Sequence, residues 1–304
     1  MIPVTIVGGF LGAGKTTLVN HLLRTATRRY AVVVNDFGAV NVDAALLRGL
    51  DEGVMSLANG CVCCGMGPDL GDTLARLVSR DPAPEHVLLE ASGVSDPWRI
   101  AQLVKLEPGL ALDAVLVLVD AAAFPGQVAD RYLTDTLERQ IARADLIVLN
   151  KCDLAGPDAA ETAVLRLGPG ARMVRVAHAE LPEALLAGPT FPRPPGSRFA
   201  AEMPDHPFRT WLWQETAAFD HQALARTLDG LPPSVLRAKG FCRIGPDRRQ
   251  RLLQLAGRRW SLVPAAGHDD ALVVIGTADM APPAELDALF RRALLDPDAG
   301  LWFA

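Results

Sequence analysis

Long apolar runs are missing from this sequence. Across its 304 residues the apolar stretches are short and broken by turns or charges, well below the roughly 20 residues needed to cross a bilayer. A helical membrane anchor is therefore excluded. Strong charge of either sign is also missing: the formal net charge is −5, from 30 basic and 35 acidic residues, so composition makes no case for nucleic-acid binding. Histidine is scarce and scattered. The six residues stand at positions 21, 86, 178, 206, 221 and 268, form no tract that could store metal, and read as lone surface or core side chains. Cysteine is sparse, five in all, with neither regular disulfide spacing nor a secretory signal. That implies a reducing compartment and a cytoplasmic protein, and it excludes a disulfide framework.

What is present is an ordinary globular composition, with 50% apolar and 21% charged residues, in a chain long enough for about two domains and a substantial core. Strand-like runs at 2–7, 31–35, 87–90, 114–120, 146–150 and 173–176 alternate with helix-like segments at 17–26, 69–79, 98–104 and 135–144. Alternation of this kind predicts an α/β fold, a mostly parallel sheet covered by helices on both faces. A Pro-rich passage from Pro189 to Gly196 breaks the pattern and reads as an extended linker. The expected division is a nucleotide-binding domain over 1–188, a linker over 189–204 and a smaller domain over 205–304. In the last of these, runs at 208–213, 235–244, 252–256, 259–263 and 271–275 read as strands. Segments 221–228 and 283–294 read as helices covering one face of their sheet, giving a small α+β domain. No internal repeat is detected.

Residues Gly9 to Thr16, GFLGAGKT, match G-x-x-x-x-G-K-[ST] between the first predicted strand and a predicted helix. The chemistry explains the residue types. Gly9, Gly12, Ala13 and Gly14 keep the backbone close to a phosphate, and the helix behind them offers free N–H groups and its positive end. Lys15 would reach the β and γ oxygens, Thr16 would ligate Mg²⁺, and Thr17 continues the motif. A second signal names the base. The run Asp145 to Leu149 reads as a buried strand ending in Asn150-Lys151-Cys152-Asp153, where the Asp153 carboxylate can accept from guanine N1–H and its 2-amino group. Adenine would leave that carboxylate unpaired, so GTP is the expected ligand.

Between these elements, Cys61-Val62-Cys63-Cys64 packs three of the five cysteines into four residues. Soft-metal thiolates, a redox switch and a local disulfide are all open readings of the cluster, the last least compatible with a reducing compartment. Thiolates suit Zn²⁺, Cu(I), iron–sulfur chemistry and, in a tetrahedral sulfur site, Co²⁺. Three ligands leave one position open, as a carrier needs and a structural zinc site avoids. The short strand Val87 to Leu89 then delivers Glu90, followed by Ala91-Ser92-Gly93. An acid at a strand end can orient the Mg²⁺ shell or the attacking water, and Gly93 lets the backbone answer the γ-phosphate. A helix-capping turn built on Ser92 or Ser95 is an equally compatible reading of the same letters.

In GGFLGAGKTT, NDFGAVNVD at Asn35 to Asp43, NGCVCC at Asn59 to Cys64, EASGVSDP at Glu90 to Pro97 and NKCD, in this order and spacing, the chain resembles the CobW-like metal-chaperone GTPases. That group includes nitrile hydratase activators and zinc transferases. The resemblance implies GTP binding and hydrolysis coupled to loading or delivery of a transition metal, Zn²⁺ or Co²⁺, to a client protein. It implies Cys61, Cys63 and Cys64 as metal ligands, and Lys15, Thr16, Asn150 and Asp153 as nucleotide contacts. Many relatives read Asn-Glu-Phe-Gly-Glu where this chain has the shorter acid Asp36 and has Ala39 in place of the second acid. An auxiliary metal ligand at that second position is therefore missing. Asp36 and Asp43 stay as candidates for the Mg²⁺ shell or a switch, with a surface turn as the alternative.

Lys15, Glu90 and Asp36 are the expected catalytic groups, and hydrolysis is expected to be slow without a client because no certain base or arginine finger is present. Two other readings stay open: a redox-sensing switch, and a client-assembly factor that carries no metal. In the second domain Arg237, Lys239, Arg243, Arg248, Arg249, Arg251, Arg258 and Arg259 form a basic stretch. The solvated face of alternating strands is favoured there over a docking face for an acidic client. Trp211, Trp213 and Trp260 are expected in the core.

Overall fold

The computed structural model describes residues 1–34, 54–56, 68–187, 208–267 and 269–295. The motif positions Asp36, Asp43, Cys61, Cys63 and Cys64 and the expected linker lie outside the described residues. The chain divides into two compact units, Met1–Ala187 and Gly188–Ala304.

The first unit is built on a seven-stranded sheet. Its strands are β1 (Ile2–Gly9), β2 (Tyr30–Val34), β3 (Val54–Ser56), β4 (His86–Glu90), β5 (Leu110–Asp120), β6 (Leu146–Asn150) and β7 (Met173–Arg175). Their spatial order is β3-β2-β4-β1-β5-β6-β7, and every pairing is parallel. β2, β4 and β6 are buried at each successive residue, a pattern that requires cover on both faces. On one face Val4, Ile6, Val33, Val87 and Leu89 pack against Leu70, Leu74 and Leu77 of helix α2 (Pro68–Val78) and Ile100, Ala101 and Val104 of α3 (Pro97–Leu106). Farther along that face Val117, Val119, Ile147 and Leu149 meet α4 (Phe124–Ala129), α5 (Thr134–Ala142) and α6 (Asp158–Leu167). Helix α1 (Lys15–Thr25), which buries Leu18, Val19 and Leu22, follows β1 directly.

The expected strands and helices of this unit are present with boundaries moved by a few residues. Helix α1 starts at Lys15, earlier than the apolar periodicity places it, because the lysine and Thr16 form its first turn. Elements missing from the sequence reading are β3, α4, α6 and α7 (Glu183–Ala187). Helix α6 hides because its buried face is Ala160, Ala163 and Val164, small residues that give a weak apolar period. Helix α4 contains Pro125 and Gly126, and its start is secured by Asp120 Oδ1, which accepts from the Ala122 and Ala123 N–H groups at 3.0 and 3.1 Å.

The second unit carries β8 (Phe208–Trp213), β9 (Ala218–Phe219), β10 (Val235–Ile244), β11 (Arg249–Ala256), β12 (Arg259–Pro264) and β13 (Ala271–Thr277). The sheet runs β12-β11-β10-β13-β8, with β9 beside β10. Its long pairings are antiparallel. Helices α8 (His221–Asp229) and α9 (Pro283–Arg291) cover one face, as expected: Leu224, Leu228, Leu286 and Phe290 share a core with Trp211, Trp213, Ala238, Leu253, Leu255 and Val274. Trp260 packs at the edge of this core, and its indole N–H donates to Asp229 Oδ1 at 2.8 Å. Helix α9 ends at Arg291, short of Leu294, which instead bridges to Phe219.

The basic stretch is not simply a solvated strand face. Arg237 is buried at 2% exposure, Arg243 pairs with Asp270 at 2.6 Å, Arg249 pairs with Asp247, and Arg248 donates to the Thr216 carbonyl at 2.6 Å. Burial, with a smaller contribution from the Asp270 charge, pushes the Cys242 thiol up to about 12. That thiol is therefore an inert core group.

Candidate functional site

The C-terminal ends of β1, β4, β5 and β6 lie side by side. Register sets Val7 opposite Glu90, and Asp120 opposite Asn150. In an open parallel sheet this is the edge where ligands collect.

The loop between β1 and α1 turns on Gly9, Gly12 and Gly14, at φ of 128°, 76° and 103°. At Gly14 both backbone and space demand glycine, since a Cβ there would sit 2.4 Å from Asn150 Nδ2. No side chain caps α1, so the helix start keeps N–H groups for an anion. The Lys15 ammonium, largely buried, donates to the Phe10 carbonyl at 3.2 Å and so arches over the loop. The Thr16 hydroxyl donates to Glu90 Oε1 at 2.8 Å. Thr17, the next residue, is exposed.

Thr16 and Glu90 come from segments 74 positions apart, and the parallel β1–β4 pairing joins them. A hydroxyl and a carboxylate are the hard oxygen donors Mg²⁺ takes, so the residues present fit that ion. Beyond Glu90 the chain turns through Ala91 to Asp96. The helix that follows is capped by neither Ser92 nor Ser95. Asp96 does this, its Oδ1 accepting from the Trp98 N–H at 2.9 Å with Pro97 in the first helical turn, while the Ser95 hydroxyl donates to the Ser92 carbonyl at 2.8 Å.

Gly93 lies against the phosphate loop, where a Cβ would come within 2.9 Å of the Leu11 nitrogen. Its carbonyl and that of Ser95 both accept from Gln140 Nε2 of α5, at 3.1 and 3.0 Å.

Asn150 ends β6 and ties three segments together. Its Nδ2 donates to the Ala13 carbonyl of the phosphate loop at 2.9 Å, and its Oδ1 accepts from the Ala179 N–H at 2.8 Å. Lys151 follows with a left-handed backbone, φ 63°, and its ammonium meets Asp120 Oδ2 at 2.7 Å. Burial alone would raise the Asp120 pKa, but the Lys151 contact and the Ala122 and Ala123 N–H groups outweigh it and hold the carboxyl below its ordinary value. Asp153 is reached by the His178 ring, Nε2 lying 3.9 Å from Oδ2. His178 and Ala179 both have left-handed backbones, φ 52° and 58°, in the loop held by Asn150.

Sequence reasoning missed three members of this constellation. Asp120 carried a usable signal, an acid closing a predicted strand at the same edge as Asn150. Gln140 and the His178–Ala179 loop carried none, because their partners are distant in sequence. Among the described residues no group of three or more His, Cys, Asp or Glu side chains could hold a metal ion, and no helix is long and apolar enough to cross a membrane.

Residues 3–174 match the nucleotide-binding domain of the CobW/HypB/UreG family. The chain belongs to that family. Residues 208–294 match the C-terminal domain of the cobalamin synthesis protein CobW. A zinc chaperone CobW of Sinorhizobium sp is 29% identical, over 92% of this chain and 94% of its own length. A zinc chaperone CobW of Pseudomonas aeruginosa is 35% identical, over 62% of this chain and 60% of its own length. The solved Zn(II)-bound YjiA GTPase of E. coli aligns at 25% identity, over 96% of this chain and 98% of that one, with a TM-score of 0.47. As a CobW-family member the chain is a P-loop GTPase.

Proposed function

We infer that this GTPase is a metallochaperone that couples its nucleotide state to holding and releasing a transition metal, with Zn²⁺ the favoured cargo and Co²⁺ second, for delivery to an apo-metalloprotein client. The observation carrying this reading is the meeting of the phosphate loop, Glu90 and Asn150 at one sheet edge through the Thr16–Glu90 and Asn150–Ala13 hydrogen bonds. The family membership and the zinc-chaperone names of two relatives support the metal.

Gly9, Gly12, Ala13, Gly14, Lys15, Thr16 and Thr17 cradle the phosphates. Asn150, Lys151 and Asp153 form the guanine side, with Asp153 accepting from the base. Mg²⁺ accompanying the nucleotide would be held through Thr16 and would neutralise phosphate charge. Lys15, Glu90 and Asp36 are the catalytic groups, Glu90 orienting water, and Gly93 is the point where the following loop meets the γ-phosphate. Cys61, Cys63 and Cys64 hold the cargo as thiolates. The GTPase domain is taken as 1–188, joined by a linker at 189–204 to the domain at 205–304.

Coupling requires the thiolate segment to bind metal with different affinity in the GTP and GDP states, because equal affinity shifts nothing. No observation favours the redox-switch or metal-free assembly readings. The test is a competition titration of reduced, metal-free protein with Zn²⁺ and Co²⁺, run with a Mg²⁺-bound non-hydrolysable GTP analogue and again with Mg²⁺-GDP. Tight one-to-one binding that differs between the two states, with a Co²⁺ spectrum of sulfur ligation, is expected. Replacing all three motif cysteines by serine should abolish it and spare GTP binding. Undiminished tight binding in that variant rules the thiolate site out.

A further inference from the structure

Among the described residues the first unit has a cleft of about 150 Å³ whose lining takes nothing from the phosphate loop or the Asn150–Asp153 turn. One wall is Val94, Ser95 and Asp96, from the segment after Glu90. The others are Arg99 and Ile100 of α3, and Thr136 and Arg139 of α5. Two guanidiniums on two different helices therefore border one small cavity. Both arginines are exposed, and neither pairs with a carboxylate among the described residues. The Arg139 Nε donates to the backbone carbonyl of Asp135 at 3.0 Å, which orients the group without neutralising it. The single acid in the lining, Asp96, caps α3 through one oxygen and keeps its charge, so the cleft sets two guanidiniums against one carboxylate and remains net positive.

We propose that this cleft is the docking point for a glutamate or aspartate side chain of a partner protein, and that its grip depends on the nucleotide held by the same unit. Size and chemistry choose the ligand class. At about 150 Å³ the cleft accommodates the end of a side chain. Planar guanidiniums match a carboxylate fork, and exposed Val94 supplies an apolar edge that a side chain's methylenes would cover. Inorganic phosphate shares the charge but has no use for that edge.

The linkage follows from connectivity and rests on the reading of the segment after Glu90 as nucleotide-responsive. Glu90 takes the Thr16 hydroxyl. The next residues form one wall of the cleft, and Gln140, the neighbour of Arg139 on α5, ties the Gly93 and Ser95 carbonyls. That segment runs directly into α3, so a nucleotide that shifts it would change the position of Arg99 relative to Arg139 on α5. A carboxylate held by both guanidiniums would then bind the two states unequally.

The test uses the full chain and a fluorescein-labelled Gly-Glu-Glu-Glu-Gly peptide, with anisotropy read on the nucleotide-free protein, with Mg²⁺-GDP and with a Mg²⁺-bound GTP analogue. Arg99→Ala combined with Arg139→Ala should weaken peptide binding about tenfold, the scale of losing two partly exposed charge pairs. Arg166→Ala, at an exposed position on α6, should leave it unchanged. Peptide affinity should differ between the two nucleotide states. Equal binding by the double variant overturns the docking site, equal binding in both nucleotide states overturns the linkage, and displacement by millimolar inorganic phosphate overturns the carboxylate assignment. A fluorescent GDP analogue titrated into the same samples separates these from a failure of the nucleotide reading itself. If that analogue does not bind, the nucleotide-free arm still decides the cleft.

Discussion

Asp153 and Asp120 show how much one carboxylate can decide. With Asp153 in the base-accepting role proposed above, Asp153→Asn would put a donor where the carboxylate accepts, so the base preference should move from guanine to xanthine. GTP affinity should fall on the order of a hundredfold, the worth of hydrogen bonds to a charged group. Competition between GTP and XTP reads this directly, and unchanged GTP affinity would remove Asp153 from the base site. Asp120 makes a prediction in pH. Its folded-state pKa is lowered, so its contribution to stability is fully present above the unfolded carboxyl value and is lost as pH falls through the lowered folded value. Thermal unfolding of wild type and Asp120→Asn should show the variant less stable near neutral pH, with the gap closing in acid. A gap independent of pH would contradict the ionised Asp120–Lys151 pair. The Asp153 role could be argued from four letters at a strand end. The Asp120 pair could not, because Lys151 reaches it only through the β5–β6 register.

At the scale of elements, the segment after β4 is held from outside. Gln140 is buried at 3% exposure, and its amide serves two carbonyls of that segment at once. Gln140→Met keeps the bulk and removes the donor, leaving both carbonyls unpaired at a cost of about 1–3 kcal/mol. We expect a lowered Tm and an altered GTP hydrolysis rate with the phosphate loop intact; a change in Tm alone would make the contact purely structural. In the second unit β10 and β13 approach closely at Gly240, where a Cβ would lie within 2.8 Å of backbone atoms of both Ala271 and Leu272. Gly240→Ala should cost about 3 kcal/mol or more, since backbone in a central strand pair cannot step aside. Hydrogen exchange should lose protection across β8 to β13 first. Full protection there would mean the strands can separate without penalty.

For the whole molecule, the difference between the two units is marked in the residue pattern of their strands. Parallel strands buried on both faces read as continuous apolar runs, and those of the first unit do. The antiparallel β10 alternates over its second half, buried at Gly240, Cys242 and Ile244 and half-buried between them. Such periodicities are local, which is why most elements of both units were legible. The elements that were not, such as α6 with its alanine face and the three-residue β3, are stabilised by what they pack on or pair with.

The sequence by itself determined the chemistry on offer: glycines and a lysine suited to phosphates, an acid proposed for guanine, three clustered thiols proposed for a soft metal, and alternating elements that favour a parallel sheet. These follow from residue type and short-range spacing. Tertiary structure alone decided which groups meet. Thr16 finds Glu90, Asn150 finds Ala13 and Ala179, and Gln140 finds the segment after β4, because strand order and register bring distant chain ends to one edge. Hydrogen bonds act over about 3 Å, and nothing in the linear order of residues measures that distance.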